Sequence, residues 1–259
     1  MNKHQKKVFK SDLSRDLKLF GKALFDAGLI HDKKVFETAA NQCINGPLPD
    51  IKGVNIDYAN SWGYEIPNLQ IIFTQSNPTL EIFPKEVSIN SINIASKVIG
   101  NFTREDYAED PLSHLEFNLT VQGIDKSGDT YISSWHLDRQ PDKSDSISAH
   151  PAYHFQYGGK RLSLPNNAYG RHLVLDSPRL VHPPLDIILG VDFVLSNFFG
   201  EQRQNLCAIR PYTTSVSNIQ RLIWRPYTHS VARNWPGYPD DDSRFEWECV
   251  SIYPQILNA

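Results

Sequence analysis

The sequence predicts an α+β fold: an N-terminal helical hairpin, a central antiparallel β-sheet, and C-terminal helices packed on one face of the sheet. Three observations carry this reading. Apolar residues recur at helical spacing near the start of the chain, alternate with polar residues through its middle, and return to helical, proline-punctuated segments after residue 183. Residues 1–46 are read as the hairpin and residues 47–259 as a single α+β core domain.

Taken in order, Leu13, Leu17, Phe20, Leu24 and Phe25 recur at helical spacing, and Gly28 stops that helix. Asp32 caps a second helix through Val35, Phe36, Ala39 and Cys43, closed by Asn45-Gly46-Pro47. Such a pair reads as generic helix packing rather than a DNA-reading helix-turn-helix. Residues 47–86 are proline-rich and weakly periodic, and read as an irregular connection containing one short strand-like run, Gln70-Ile71-Ile72-Phe73-Thr74.

The middle of the chain reads as sheet. Ile92, Ile94, Val98 and Phe102 sit among mostly polar neighbours, and Leu115, Phe117, Leu119 and Val121 alternate with Glu116, Asn118, Thr120 and Gln122. The turn Asp125-Lys126-Ser127-Gly128-Asp129 leads into Tyr131, Ser133, Trp135 and Leu137, a hairpin pattern. A strand around Tyr153, Phe155 and Tyr157 joins the same sheet. Pro183-Pro184 then preset the first turn of a core helix running to about Phe199, with Asp186 in that turn and Gly200 as terminator. Residues 217–225 form another helix capped by Ser217, and Pro226 either kinks it or starts a third reaching about Trp235. Residues 244–252 alternate as a last strand.

Composition limits the class of protein. A net charge of −3 predicts no partner by itself. The three cysteines, Cys43, Cys207 and Cys249, lie far apart without a CxxC pair. That argues against a zinc ribbon or disulfide scaffold and favours a reducing cytosol. The basic start is followed by no apolar signal core, and the apolar run 183–199 is broken by Asp186 and Asp192. A soluble cytoplasmic protein without a membrane span is therefore expected. No Walker motif, Rossmann loop or nucleophile elbow is present in the sequence.

The distribution of basic residues is more telling. All fourteen lysines lie at or before Lys160, nine of the twelve arginines follow it, and residues 202–239 hold five arginines and no acidic residue. A guanidinium fork suits phosphate and carboxylate. The C-terminal half is thus read as built for an anion or an acidic partner, with internally paired arginines as the alternative. Arg221, Arg225, His229 and Arg233 recur every four residues as a stripe suited to a phosphate backbone. Arg179 with His182 lies just ahead of a helix N-terminus, where an anion is also favoured.

Five of the nine histidines fall between positions 136 and 182. If Trp135 and Leu137 face the core, His136 and Asp138 face the other side of the sheet; if Tyr153, Phe155 and Tyr157 face the core, His154 and Gln156 share that side. His150 has the same parity. One face then gathers His136, Asp138, His150, His154 and Gln156 as candidate catalytic residues. Two chemistries fit. His136, Asp138 and His154 can hold one divalent metal ion that activates water. Alternatively His136 and His154 act as general base and acid on a phosphodiester, with arginine stabilising charge. The spacing matches no specific zinc motif, and a polar face hydrogen-bonded only for structure is the plain alternative. The expected function is action on a phosphodiester or nucleic acid through this His/Asp cluster, with phosphate contacts from Arg179, Arg221, Arg225, His229 and Arg233. The competing expectation is a non-catalytic subunit that docks an acidic protein partner through its arginine-rich half.

Overall fold

The structure is a computed structural model that describes residues 1–51, 56–57, 59–73, 84–102, 110–139, 151–158 and 180–232, the last three by backbone alone. Two helices open the chain, α1 (Lys3–Asp26) and α2 (Lys34–Asn45). The first begins well before its apolar stripe because Asn2 and Gln5 form a capping box. The Asn2 side chain accepts from the Gln5 amide at 2.9 Å, and the Gln5 side chain accepts from the Asn2 amide at 2.8 Å. Gly28 ends it in the left-handed region, φ 71°, which lets the Leu29 amide reach back to the Leu24 carbonyl at 3.0 Å. Asp32 accepts from the Lys34 amide at 2.8 Å at the entry to α2.

Six strands follow: β1 (Ser61–Ile71), β2 (Ser88–Asn101), β3 (Leu112–Ile124), β4 (Thr130–Arg139), β5 (Tyr153–Tyr157) and β6 (Leu180–Val181). They pair in sequence order and every pairing is antiparallel. The segment read as an irregular connection thus holds an 11-residue strand. Its alternation is real but interrupted. Trp62, Tyr64 and Ile66 face the core, the register slips between Ile66 and Leu69, and Leu69 and Ile71 face the core again. Pro67, lacking an amide proton, sits in the bulge where no ladder bond is required. The β3–β4 turn forms as its residues predict: the Asp125 carboxylate accepts from the Ser127 and Asp129 amides at 2.8 and 3.0 Å, and Gly128 takes φ 88°.

The C-terminal helices are α3 (Ile187–Phe198), α4 (Gly200–Cys207), α5 (Arg210–Ile219) and α6 (Arg225–Ala232), with a π-helical turn, Gln220–Trp224, between the last two. Three sequence-based boundaries move. Asp186 rather than the proline pair starts α3, its carboxylate accepting from the Leu189 amide at 2.9 Å. Helix α3 ends at Phe198, close to its expected end, but Gly200 opens α4 directly, and Ser217 lies buried inside α5 rather than capping it. Pro226 does not break the helix because the turn before it is widened, the Arg225 amide bonding to the Gln220 carbonyl. A proline lacks the amide that an α-turn needs and crowds the carbonyl four residues back; the wider turn relieves both. The expected strand at 244–252 lies outside the described residues.

The helices lie against one face of the sheet and share one buried cluster with it, drawn from α1, α2, β1–β5, α3, α4, α5 and the π-helical turn. Gly190 of α3 presses on β3 so closely that a Cβ there would stand 2.1 Å from the Phe117 ring. Tyr64 donates to Asp186 at 2.7 Å, Trp224 Nε1 donates to the Pro184 carbonyl at 2.8 Å, and Phe20 stacks on Tyr212 at 5.1 Å between ring centroids. The side chains of opposite parity on β2–β5 lie on the other face, where Ile99, Thr120, Ser134 and His154 are also buried.

Candidate functional site

Cross-strand partners point to the same face of a sheet, so the register fixes which side chains meet. One row crosses the sheet as Glu65, Lys97, Glu116, Asp138 and His154; the next runs Ala95, Asn118, His136 and Gln156. Phe117, Leu137 and Phe155, one position away, point into the core. His136, Asp138, His154 and Gln156 therefore do share the face opposite the helices. His150, predicted to join them, lies outside the described residues.

The strands that carry the cluster are held at both ends. Tyr153 donates to Asp110 at 2.7 Å while Arg139 Nε donates to the other oxygen of the same carboxylate at 2.9 Å, tying β4 and β5 to the start of β3. At the far end Gly158, φ 93°, donates its amide to the Ser134 carbonyl at 2.8 Å. Trp135 stacks on Phe155 with centroids 5.3 Å apart and nearly parallel planes, fixing the β4–β5 pairing from the core side.

Within the cluster, His154 Nε2 stands 2.9 Å from Asp138 Oδ1, and His154 is only 2% exposed. The His136 ring meets the His154 ring edge-on, 6.3 Å between centroids. One ligand atom from each of His136, Asp138 and His154 falls within 4.8 Å of the other two. Asp138 Oδ1 is buried and, although close to Nε2, is in hydrogen-bond alignment with no partner. His154 Nδ1 lies 3.3 Å from the Pro151 carbonyl. With the ring proton on Nδ1 that contact is a donation to Pro151, and the Nε2 lone pair then faces the Asp138 carboxylate. Two lone pairs in close approach require something positive between them, a proton or a metal ion.

Sequence reasoning missed a second imidazole–carboxylate pair on this face. His114 Nε2 lies 3.1 Å from Glu116 Oε1, the His114 side chain is 12% exposed, and its Nε2 also has no aligned hydrogen-bond partner. The imidazole of His114, with a weaker contribution from Lys97, holds the Glu116 carboxyl below its usual range against the opposing effect of partial burial. The available signal was the repeat of His-x-Glu at 114–116 by His-x-Asp at 136–138. A register irregularity opposite Ile99 and Gly100 starts the regular pairing of β3 at His114, so alternation counted from Leu115 leaves it out.

Of the residues predicted to bind phosphate, Arg221 and Arg225 are exposed on the π-helical turn and the start of α6, and His229 is half-buried in α6. Arg179 and Arg233 lie outside the described residues. Arg203 is committed internally, its Nε and Nη2 donating to Asp192 at 2.8 and 3.2 Å. His182 packs against Phe155 and Phe193, with burial pushing its pKa down.

No described helix is long and apolar enough to cross a membrane. No protein-family model, curated protein or solved structure matches this chain. The reading of function therefore rests on the geometry of the sheet face opposite the helices, where imidazole and carboxylate ligands converge on adjacent strands.

Proposed function

We propose that this chain is a cytoplasmic metal-dependent phosphodiester hydrolase that binds a divalent ion through His136, Asp138 and His154 on the sheet face opposite the helices. The observation that carries this reading is the close but misaligned approach of His154 Nε2 to Asp138 Oδ1 at 2.9 Å, with the oxygen otherwise unpartnered. Two ligand atoms each about 2.1 Å from an ion, and about 90–110° apart around it, stand about 3.0–3.4 Å from one another. At 2.9 Å the pair lies just below that range. Nitrogen and oxygen donors of this mixture suit zinc or manganese rather than calcium. The Pro151 carbonyl supplies the contact that commonly sets the tautomer of a metal-bound histidine. A divalent ion here would lower the pKa of a bound water and draw the phosphate oxygens of the substrate.

Elemental analysis of the purified chain tests the site directly, and hydrolysis of bis(p-nitrophenyl) phosphate tests the chemistry. The expected result is a stoichiometric transition metal and metal-dependent turnover, both lost in His136→Ala and Asp138→Asn while the far-UV spectrum is unchanged. Retention of metal and turnover in both variants would sink the assignment. Exposed Arg221 and Arg225 favour a second reading, in which the helical layer docks an acidic protein. Charge reversal at both positions then abolishes co-purification without touching metal content.

A further inference from the structure

We infer that Asn118 of β3 binds the substrate of this site, its carboxamide donating to a non-bridging phosphate oxygen while one ester arm of a phosphodiester lies over Ala95 of β2. This rests on metal binding at His136, Asp138 and His154 as proposed above. Asn118 stands directly opposite His136 on one side and Ala95 on the other, so the three form one row across β2, β3 and β4. Directly opposed side chains of antiparallel strands begin about 4.5–5.5 Å apart at Cβ. A carboxamide beside a metal-bound imidazole is therefore within reach of an oxygen held on that metal. Ala95, Asn118, His136 and Asp138 are all half-buried, which leaves the row in contact with solvent.

The neighbours of Asn118 are engaged and Asn118 is not. Asn93 Nδ2 donates to Ser91 Oγ at 3.1 Å, and Lys97 Nζ lies 3.4 Å from Glu65 Oε1 and 3.5 Å from the Asp50 carbonyl. Glu116 Oε1 is drawn to His114 Nε2 at 3.1 Å. The Asn118 carboxamide, with two N–H donors, makes no hydrogen bond with any described residue. Ala95 supplies the room beside it. Its methyl is the smallest side chain of the row, and Asn93 and Lys97, which flank it on β2, both turn away from it to the partners just named. Charge then selects among phosphates. Beside the metal ligands stand neutral Asn118 and the Glu116 carboxylate opposite Asp138. A phosphomonoester carries about −1.5 to −2 at neutral pH, a diester a single charge. A neutral donor next to a carboxylate suits the diester.

The full-length chain is loaded with Zn²⁺ and its bound metal counted. Hydrolysis of bis(p-nitrophenyl) phosphate is compared with that of p-nitrophenyl phosphate, and circular dichroism verifies the fold of each variant. Wild type is expected to favour the diester in kcat/KM. Asn118→Ala should keep the metal and lower that value roughly tenfold or more, the effect of losing one hydrogen bond to a charged group. Ala95→Phe should keep the metal and raise the diester KM, and it carries the test if Asn118→Ala misfolds. Unchanged diester kinetics in folded Asn118→Ala, or an unchanged KM in Ala95→Phe, overturns the inference and leaves the metal site standing. Metal lost from folded Asn118→Ala makes Asn118 a support for the ligands and overturns the substrate contact, and a wild type that favours the monoester overturns the diester arm. Wild type without metal, or with metal and no turnover, overturns the hydrolase reading and this inference together.

Discussion

Replacing Arg203 with alanine should be among the most damaging single changes in the helical layer. Asp192 of α3 is 2% exposed and ties three helices together. It accepts from Arg203 of α4 at 2.8 and 3.2 Å and from the Tyr212 hydroxyl of α5 at 2.7 Å. Arg203→Ala leaves this carboxylate buried with one neutral donor. Breaking a buried ion pair from one side costs about 3–5 kcal/mol, because the remaining charge is uncompensated. In a chain of this size each kcal/mol lowers Tm by roughly 2–4 °C, so a fall of roughly 6–20 °C is expected. Adding Asp192→Asn to the same chain removes the stranded charge while keeping an acceptor for Tyr212, and should recover more than half of the loss. Urea unfolding followed by circular dichroism reads both effects as shifts of the midpoint at constant slope. A loss below about 1 kcal/mol for Arg203→Ala, or no recovery in the double variant, would refute the assignment of a buried, charge-dependent clamp.

Two further substitutions probe how the layers meet. Burial pushes the Asp186 carboxyl up to about 6 from an ordinary value of 3.8, against hydrogen bonds from Leu189, Tyr64 and Ile188 that favour the charged form. The folded state then holds a proton that the unfolded state releases, so stability is full below about pH 4 and falls as pH rises to about 6, by about 3 kcal/mol. Asp186→Asn keeps an acceptor at the start of α3 and should flatten that pH dependence; equal slopes for wild type and variant in urea unfolding between pH 4 and 7 would contradict it. Gly190→Ala brings a Cβ to within 2.1, 2.6 and 2.8 Å of Phe117 ring atoms. Its overpacking cost of about 1–3 kcal/mol exceeds the helix-propensity gain of about 0.5–1 kcal/mol. Thermal unfolding of Gly190→Ala should show a smaller loss in a Phe117→Leu background than in wild type, and equal losses would place the conflict elsewhere.

The parts of the fold legible in the sequence were those with uninterrupted periodicity. The α1 stripe through Leu13, Leu17, Phe20 and Leu24, and the alternation of β3 and β4, each report a single burial face, so period alone identifies them. Strand β1 was hidden because Pro67 and Asn68 shift the register and reverse the parity of Leu69 and Ile71 relative to Tyr64 and Ile66. Helix boundaries after residue 183 were displaced for a different reason. Asp186, Gly200, Ser217 and Pro226 each have a local preference that tertiary packing redirected, most clearly where a π-helical turn accommodates Pro226. At the site, parity placed His136, Asp138, His154 and Gln156 on one face because two-residue alternation is geometric. Composition carries no such geometry: charge density along residues 202–239 cannot reveal that Arg203 points inward to Asp192.

Two buried carboxylates of α3 and its entry show how completely such groups can be paired in this chain. On the helical side, both oxygens of Asp186 accept a hydrogen bond, one from the Leu189 amide and one from Tyr64. Both oxygens of Asp192 are likewise satisfied, by Arg203 and Tyr212. Such complete pairing is what burial demands, since an unpartnered buried charge or polar group costs several kcal/mol in an apolar surround. Across the sheet the same strands carry Asp138 and His114 with a buried polar atom each that no aligned hydrogen bond satisfies, and both atoms are within 3.1 Å of an opposite-type ligand atom. Orphaned polar atoms are not confined to this face, since Asp16 Oδ1 of α1 is also buried without a hydrogen bond; what sets the histidine-bearing face apart is that ligand atoms of His136, Asp138 and His154 converge there within 4.8 Å of one another, an arrangement a cation would complete.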